Sequence, residues 1–272
     1  MNTTDTFMTG RRCTGSGVTA FAVLILFFAL STTSSADETD AKRLLKAMSE
    51  YLAAQSAVSF NYDASLEVVT PDDQVLGLAS SGSLQLSRPD KIHVTRMGGF
   101  ADVHMNFDGK TLTILGKNEN LYTQVEVPGD IDHLVKQLRE QYSRPLPAAD
   151  LLTLDAYDAL MADVIDIKDL GSGVIGGIEC DWLAFRKEEV DFQIWIAQGD
   201  MPVPCKYVIA SKMVANGPQY SVQFSNWKTG ADADRGDYTF KNSSSATKVE
   251  LNDLKGAGDL PSHFEPVNGE SQ

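Results

Sequence analysis

The stretch CDWLAFRKEEVDFQIWIAQGDMPVPCKYVIASK, Cys180 to Lys212, holds three runs of β-branched and aromatic residues separated by charged or glycine-containing turns. That pattern predicts three strands in an antiparallel meander. Antiparallel strands with one wet face alternate apolar and polar residues, but these are apolar on both faces. Trp182 and Ala184 oppose Leu183 and Phe185, and Trp195 opposes Ile194 and Ile196. Helices are expected over one face, and a neighbouring segment such as the C-terminal tail over the other.

The same two-residue period extends outward. Strands are predicted at about 57–70, 74–87, 91–97, 102–108, 111–117 and 121–127. They continue at about 164–170, 178–187, 190–197, 203–212 and 219–228, with PDD, RPD, GGF, DGK and KNEN marking turns. This close spacing indicates antiparallel neighbours rather than βαβ units. Helical periodicity occurs in ADETDAKRLLKAMSEYLAAQ, where Leu44, Leu45, Met48, Tyr51 and Leu52 share a face and Asp37 or Thr39 can cap the start. It returns in DIDHLVKQLREQY, through Ile131, Leu134, Val135 and Leu138. It recurs after Pro145 and Pro147 in a second apolar helical stretch ending near ALMADV. About eleven strands and three helices fit a mainly β (α+β) fold, an unclosed antiparallel β-barrel with helices covering its concave face. Beyond Trp227 only DYTF and TKVELNDL read as ordered.

The N-terminus reads as a leader. Arg11 and Arg12 precede the apolar run VTAFAVLILFFAL, Val18 to Leu30, and Ser34 and Ala36 fit a small-residue cleavage site before Asp37. The run is shorter than the roughly 20 residues that span a bilayer. Residues 1–36 are therefore a predicted signal peptide, 37–254 a single domain, and 255–272 a flexible tail, exported without a lasting membrane anchor. Removing 1–36 takes Arg11, Arg12 and Asp5 from 23 basic and 37 acidic residues, leaving 21 and 36, a net charge of −15. Such a surface repels phosphate backbones and anionic lipid, which excludes nucleic-acid binding by bulk attraction.

Motifs that carry catalysis or cofactors find no support. GSGVIG, Gly171 to Gly176, matches a dinucleotide-binding pattern, but the next segment is a strand where the motif needs a helix, so it reads as a turn. DADRGD, Asp232 to Asp237, has its glycine at position five of a calcium loop that needs it at six. The four histidines, His93, His104, His133 and His263, lack ligand spacing, and the hairpin holding the first two does not set them opposite each other. There is no G-x-S-x-G elbow. No enzyme activity, metal or cofactor is expected.

Cys180 and Cys205 remain in the mature chain, with one strand between them. Two strand spacings are about 9.5 Å, beyond the roughly 7 Å Cα separation a bridge tolerates. Only a twisted or bulged strand end closes that gap, so the spacing predicts buried thiols.

The run from CDWLAFR through DFQIWI, followed by PQYSVQFSNWK, closely resembles the predicted periplasmic proteins grouped as domain of unknown function 2092. The N-terminal helix, SRPDKIHVTRMGG and FDGKTLTILGKNENLYTQVEVPG fit the same family. Cys205 departs from the basic residue expected there. The family looks like a member of the LolA and LolB superfamily of lipoprotein localisation factors. That resemblance implies an unclosed barrel of about eleven strands, helices as a lid, and a hydrophobic cavity for acyl chains. It supplies no catalytic residues. The expected function is periplasmic binding or carriage of an apolar ligand, a lipid or lipoprotein acyl chain. Candidate lining residues are Phe60, Tyr62, Leu84, Leu86, Ile92, Val94, Met105, Phe107, Leu183, Phe185, Phe192 and Ile194, with Met97, Gly98 and Gly99 as a flexible rim. The alternative is an envelope protein-interaction or stress-sensor module whose cavity is filled by side chains. Met161, Ala148 and Ala149 favour a movable lid; a packed interior favours the alternative.

Overall fold

Alternating apolar residues build a single sheet. A computed structural model describes residues 34–99, 101–142, 148–233 and 236–254. Helix α1 (Ser34–Ala53) leads into six strands: β1 (Ala57–Val69), β2 (Val75–Ser87), β3 (Lys91–Gly98), β4 (Asp102–Phe107), β5 (Thr111–Gly116) and β6 (Leu121–Glu126). Helix α2 (Ile131–Glu140), a 3-10 turn (Ala149–Leu152) and α3 (Ala156–Met161) then interrupt the sheet. It resumes with β7 (Asp166–Ile175), β8 (Ile178–Arg186), β9 (Val190–Ala197), β10 (Pro204–Ser211), β11 (Gln219–Thr229) and β12 (Thr247–Lys248).

The twelve strands run in the order β12-β6-β5-β4-β3-β2-β1-β11-β10-β9-β8-β7. Every pair is antiparallel except β12 with β6. The two ends of this order do not pair, so the sheet is unclosed, as the sequence predicts. β12 adds to the eleven strands expected, as two residues that backbone hydrogen bonds hold against β6.

Register places one apolar set on one face. Phe60 pairs with Leu84, Leu84 with Val94, Val94 with Met105 and Met105 with Ile114. On the other half, Phe185 pairs with Phe192, Phe192 with Ile209 and Ile209 with Tyr220. This inner face forms one cluster with the helices: Ala41, Leu45, Met48 and Leu52 of α1 and the buried residues of α2. Asp130 caps α2, its side chain accepting from the His133 N–H, and satisfies a donor that the first turn leaves without a partner.

Several sequence expectations need correction. α1 begins at Ser34, so Asp37 and Thr39 lie inside the helix rather than at its cap. Residues 1–33, most of the predicted leader, and the predicted tail 255–272 lie outside the described residues. The apolar stretch after the proline pair divides into a 3-10 turn, entered through Ala148 at a left-handed φ of 63°, and a short α3, because Thr153 between them is extended with a ψ of 158°. Gly171 to Ile175 lie within β7, and of GSGVIG only Gly176 stands at the turn. There Gly176 and Gly177, with φ of 59° and 84°, make a two-residue hairpin turn that needs positive φ twice. Residues 237–240, DYTF, form no strand. Asp234 and Arg235 of DADRGD lie outside the described residues.

The segment after β11 covers the half of the sheet opposite to the one expected. Asn106 donates to the Asp237 carbonyl, Phe240 packs on Tyr122 at 4.9 Å, and Gly236 lies against Gln85 and His93. It therefore lies on the outer face of β2 to β6, which explains why Asn106 and Thr113 are buried there. The outer face of the meander is covered by its own side chains. Trp182 and Trp195 stack with centroids 5.3 Å apart, Trp182 donates to Gln193, and the Lys206 ammonium sits 5.4 Å over Trp195.

Candidate functional site

The twelve candidate lining residues all lie on the inner face, but they do not share one environment. Phe60, Leu84, Leu86, Ile92, Met105, Phe107, Leu183, Phe185, Phe192 and Ile194 are buried in the core cluster. Their faces are filled by one another and by the helices. Phe185 and Phe192 stack at 4.7 Å, and Phe60 meets Phe224 at 5.3 Å and Trp227 at 4.3 Å. Only Tyr62 and Val94 are half-buried.

Those two mark a place where cover thins. β1 and β2 are thirteen residues each, and toward their hairpin Leu66 is 44% exposed while Leu76 and Leu78 are half-buried. Ile209 and Tyr220 continue this open end across β10 and β11. Leu66, Leu78, Ile209 and Tyr220 are absent from the lining expected from sequence. The signal was present, because Leu66 follows Phe60, Tyr62 and Ala64 at two-residue spacing. Of the expected rim, Met97 is 65% exposed but points to the outer face, pairing with Ser81 and Asp102.

The open end has a fixed polar edge. Gly82 lies between Tyr62 on β1 and Arg96 on β3. The Tyr62 ring crosses it, and its hydroxyl donates to the Thr95 carbonyl at 2.8 Å. Burial pushes the Tyr62 phenol up to about 12, while the Arg96 guanidinium acts in the opposite direction. Burial also raises the phenols of Tyr207 and Tyr220. Unfolded, these tyrosines ionise near pH 10. Above that pH the unfolded chain releases protons that the folded chain retains, so stability falls as pH rises from 10 through the folded values. Urea midpoints should drop steeply between about pH 9.5 and 11.5, and less steeply in Tyr62→Phe.

The helical cover is tied down at the opposite end of the strands. Arg88, beside the β2–β3 turn, donates to the Leu152 carbonyl at 2.8 Å, and the Ile131 N–H donates to the Pro89 carbonyl. Asp132 accepts from the Leu154 N–H, and Arg139 pairs with Asp150 at 3.3 Å. These contacts hold α2 and the 3-10 turn together over the packed half.

A cleft of about 500 Å³ occurs elsewhere, at the β11 irregularity where Asn226 takes a φ of 55°. Ser59, Asn61, Ser83, Gln85, Asn226 and Lys228 make most of its wall polar. That polar wall offers an acyl chain little apolar contact, so the cleft does not suit one. Nearby, His93 and His104 are diagonal neighbours with rings 5.8 Å apart, not directly opposed, and burial lowers the pKa of both. Among the described residues no group of His, Cys, Asp or Glu has metal-holding geometry, and no helix is long and apolar enough to cross a membrane.

No curated protein matches the sequence. Among solved structures, the chain is similar to LprF from Mycobacterium bovis, at 11% identity and a TM-score of 0.47, over 75% of this chain and 99% of that one. It is similar to an uncharacterised conserved protein from Thermus thermophilus, at 10% identity and a TM-score of 0.45, over 78% and 99%. It is also similar to a LolA superfamily protein from Nitrosomonas europaea, at 11% identity and a TM-score of 0.32, over 72% and 95%. A family described as predicted periplasmic proteins, DUF2092, matches residues 41–252, from the buried face of α1 to the end of the sheet, and the chain belongs to that family.

Proposed function

We propose that this protein is a non-catalytic periplasmic binding protein that takes an apolar ligand, a lipid or lipoprotein acyl chain, at the open end of its inner face. The observation that carries this reading is the thinning cover over a continuous apolar surface. Tyr62, Val94, Leu78, Ile209 and Tyr220 are half-buried, and Leu66 is 44% exposed, beside a core that is otherwise closed. Each methylene buried there contributes about 0.8 kcal/mol. Deeper entry requires α2 and the 3-10 turn to move, which means separating Arg88 from Leu152 and Ile131 from Pro89.

A second reading has its own support. Ten of the twelve expected lining residues are buried, so the interior is filled by side chains, as an envelope protein-interaction module requires. The open end then receives an apolar segment of a protein partner.

Native mass spectrometry of protein purified from periplasm, with titration of an apolar fluorescent probe, separates the two. The carrier reading expects co-purifying lipid and a probe site weakened about tenfold by Tyr62→Ala, a loss of about 1.4 kcal/mol. Absence of both lipid and probe binding overturns it.

A further inference from the structure

Cys180 and Cys205 contradict the separation expected from strand spacing. Their Sγ atoms lie 2.8 Å apart, the thiols are free, and the residues are 0% and 3% exposed. The cause is an irregularity in β10. Pro204 pairs with Ile196 and Lys206 with Trp195, so β10 spends two residues, Cys205 and Lys206, on one step of β9. Such a bulge turns its extra residue toward the face of its neighbour and bends the strand. Lys206 lies over Trp195 on the outer face, and Cys205 is brought to the same face as Cys180. The β9 residue paired with Cys180 is Ala197, and its small side chain leaves the sulfurs room to meet across the strand end.

We propose that Cys180 and Cys205 form a disulfide in the exported protein, clamping β8 to β10 over the end of β9. The family is described as predicted periplasmic proteins, and the bacterial periplasm allows disulfides to form and persist. The oxidant is a protein or small-molecule disulfide. One cysteine thiolate attacks it to give a mixed disulfide and a released thiolate; the second thiolate displaces the remaining half. The two cysteines lose two electrons and two protons, and the oxidant leaves as two thiols.

Burial raises the pKa of both thiols, with desolvation the leading cause, and each acts on the other. Thiolate is therefore scarce in the folded, reduced protein, and the bond forms as β8 to β10 assemble. Once closed, it is shielded from reductants. This makes it a structural clamp, independent of any ligand at the open end.

The test uses the full chain, exported to the periplasm and quenched in acid, then alkylated with N-ethylmaleimide in denaturant and mapped by peptide mass spectrometry. The expected result is a linked peptide pair holding Cys180 and Cys205, with neither labelled until a reductant is added. Labelling of both without reductant overturns the bond. Closing a loop of this length should raise Tm by roughly 5–10 °C. Reduction in denaturant followed by refolding under reductant should remove that increment from the wild type and leave a Cys180→Ala/Cys205→Ala variant unchanged. A linked pair whose reduction leaves Tm unaltered overturns the clamp.

Discussion

Phe107→Ala should lower stability by about 3–5 kcal/mol, the cost of removing a large buried aromatic and leaving a cavity. Phe107 is 0% exposed, lies between Ile92 and Leu112 on the inner face, and shares its cluster with the apolar residues of α2. For a domain of this size the loss corresponds to a fall in Tm of about 10 °C. Its value lies in the contrast with Tyr62→Ala. Tyr62 is half-buried at the open end, so its truncation should cost less stability and more ligand affinity. If Phe107→Ala instead left Tm unchanged and reduced probe binding, Phe107 would line a ligand space and the packed half would be open in solution. Differential scanning fluorimetry and probe titration on the two variants measure both quantities.

That contrast shows how far the sequence reaches. Two-residue alternation places ten strands within a residue of their bounds and stops β7 five residues short, and it places all twelve candidate lining residues on one face. It does not distinguish packed residues from half-open ones, because cover depends on where helices from distant segments settle. Phe107 and Tyr62 carry the same signal in the chain, yet one is sealed and the other is not. Bulges are equally invisible. The extra residue in β10 follows from how Pro204 and Lys206 pair with β9, and it reverses the geometric case against Cys180 and Cys205. Of the segment after β11, TKVELNDL reads as ordered in the sequence and holds β12, but where the segment lies on the sheet is hidden for another reason. Backbone hydrogen bonds of Thr247 and Val249 fix its end against the edge strand β6 and its turn, while Phe240 on Tyr122 and the Asp237 carbonyl on Asn106 lie over the outer face. Hydropathy does not register backbone pairing. The doubly apolar meander needs cover on both faces, but its tryptophans provide the outer one themselves.

Gly82→Ala should be nearly as damaging as the Phe107 change, although it adds only a methyl group. A Cβ at position 82 would stand 2.0 Å from the Thr95 carbonyl oxygen and 2.6 Å from both Cζ and Oη of Tyr62. The first neighbour is backbone and cannot rotate away. The second is held by the hydrogen bond from its hydroxyl to that same carbonyl. Separating β2 from β3 or expelling the phenol are the available responses. Overpacking costs about 1–3 kcal/mol, and a buried polar group left without its partner costs about 1–3 kcal/mol more. A total near 3–5 kcal/mol is expected. Tyr62→Phe alone, which removes only the hydroxyl, should cost about 1 kcal/mol. A double-mutant cycle with Tyr62→Ala separates the two clashes. Removing the ring relieves the 2.6 Å contacts but not the 2.0 Å one, so the double variant should be more stable than the sum of the singles predicts, yet still less stable than Tyr62→Ala. Strict additivity in urea unfolding would mean that the ring does not cross Gly82 in solution. The edge of the open end would then be free to move, and entry of an apolar chain would need no displacement of the tyrosine.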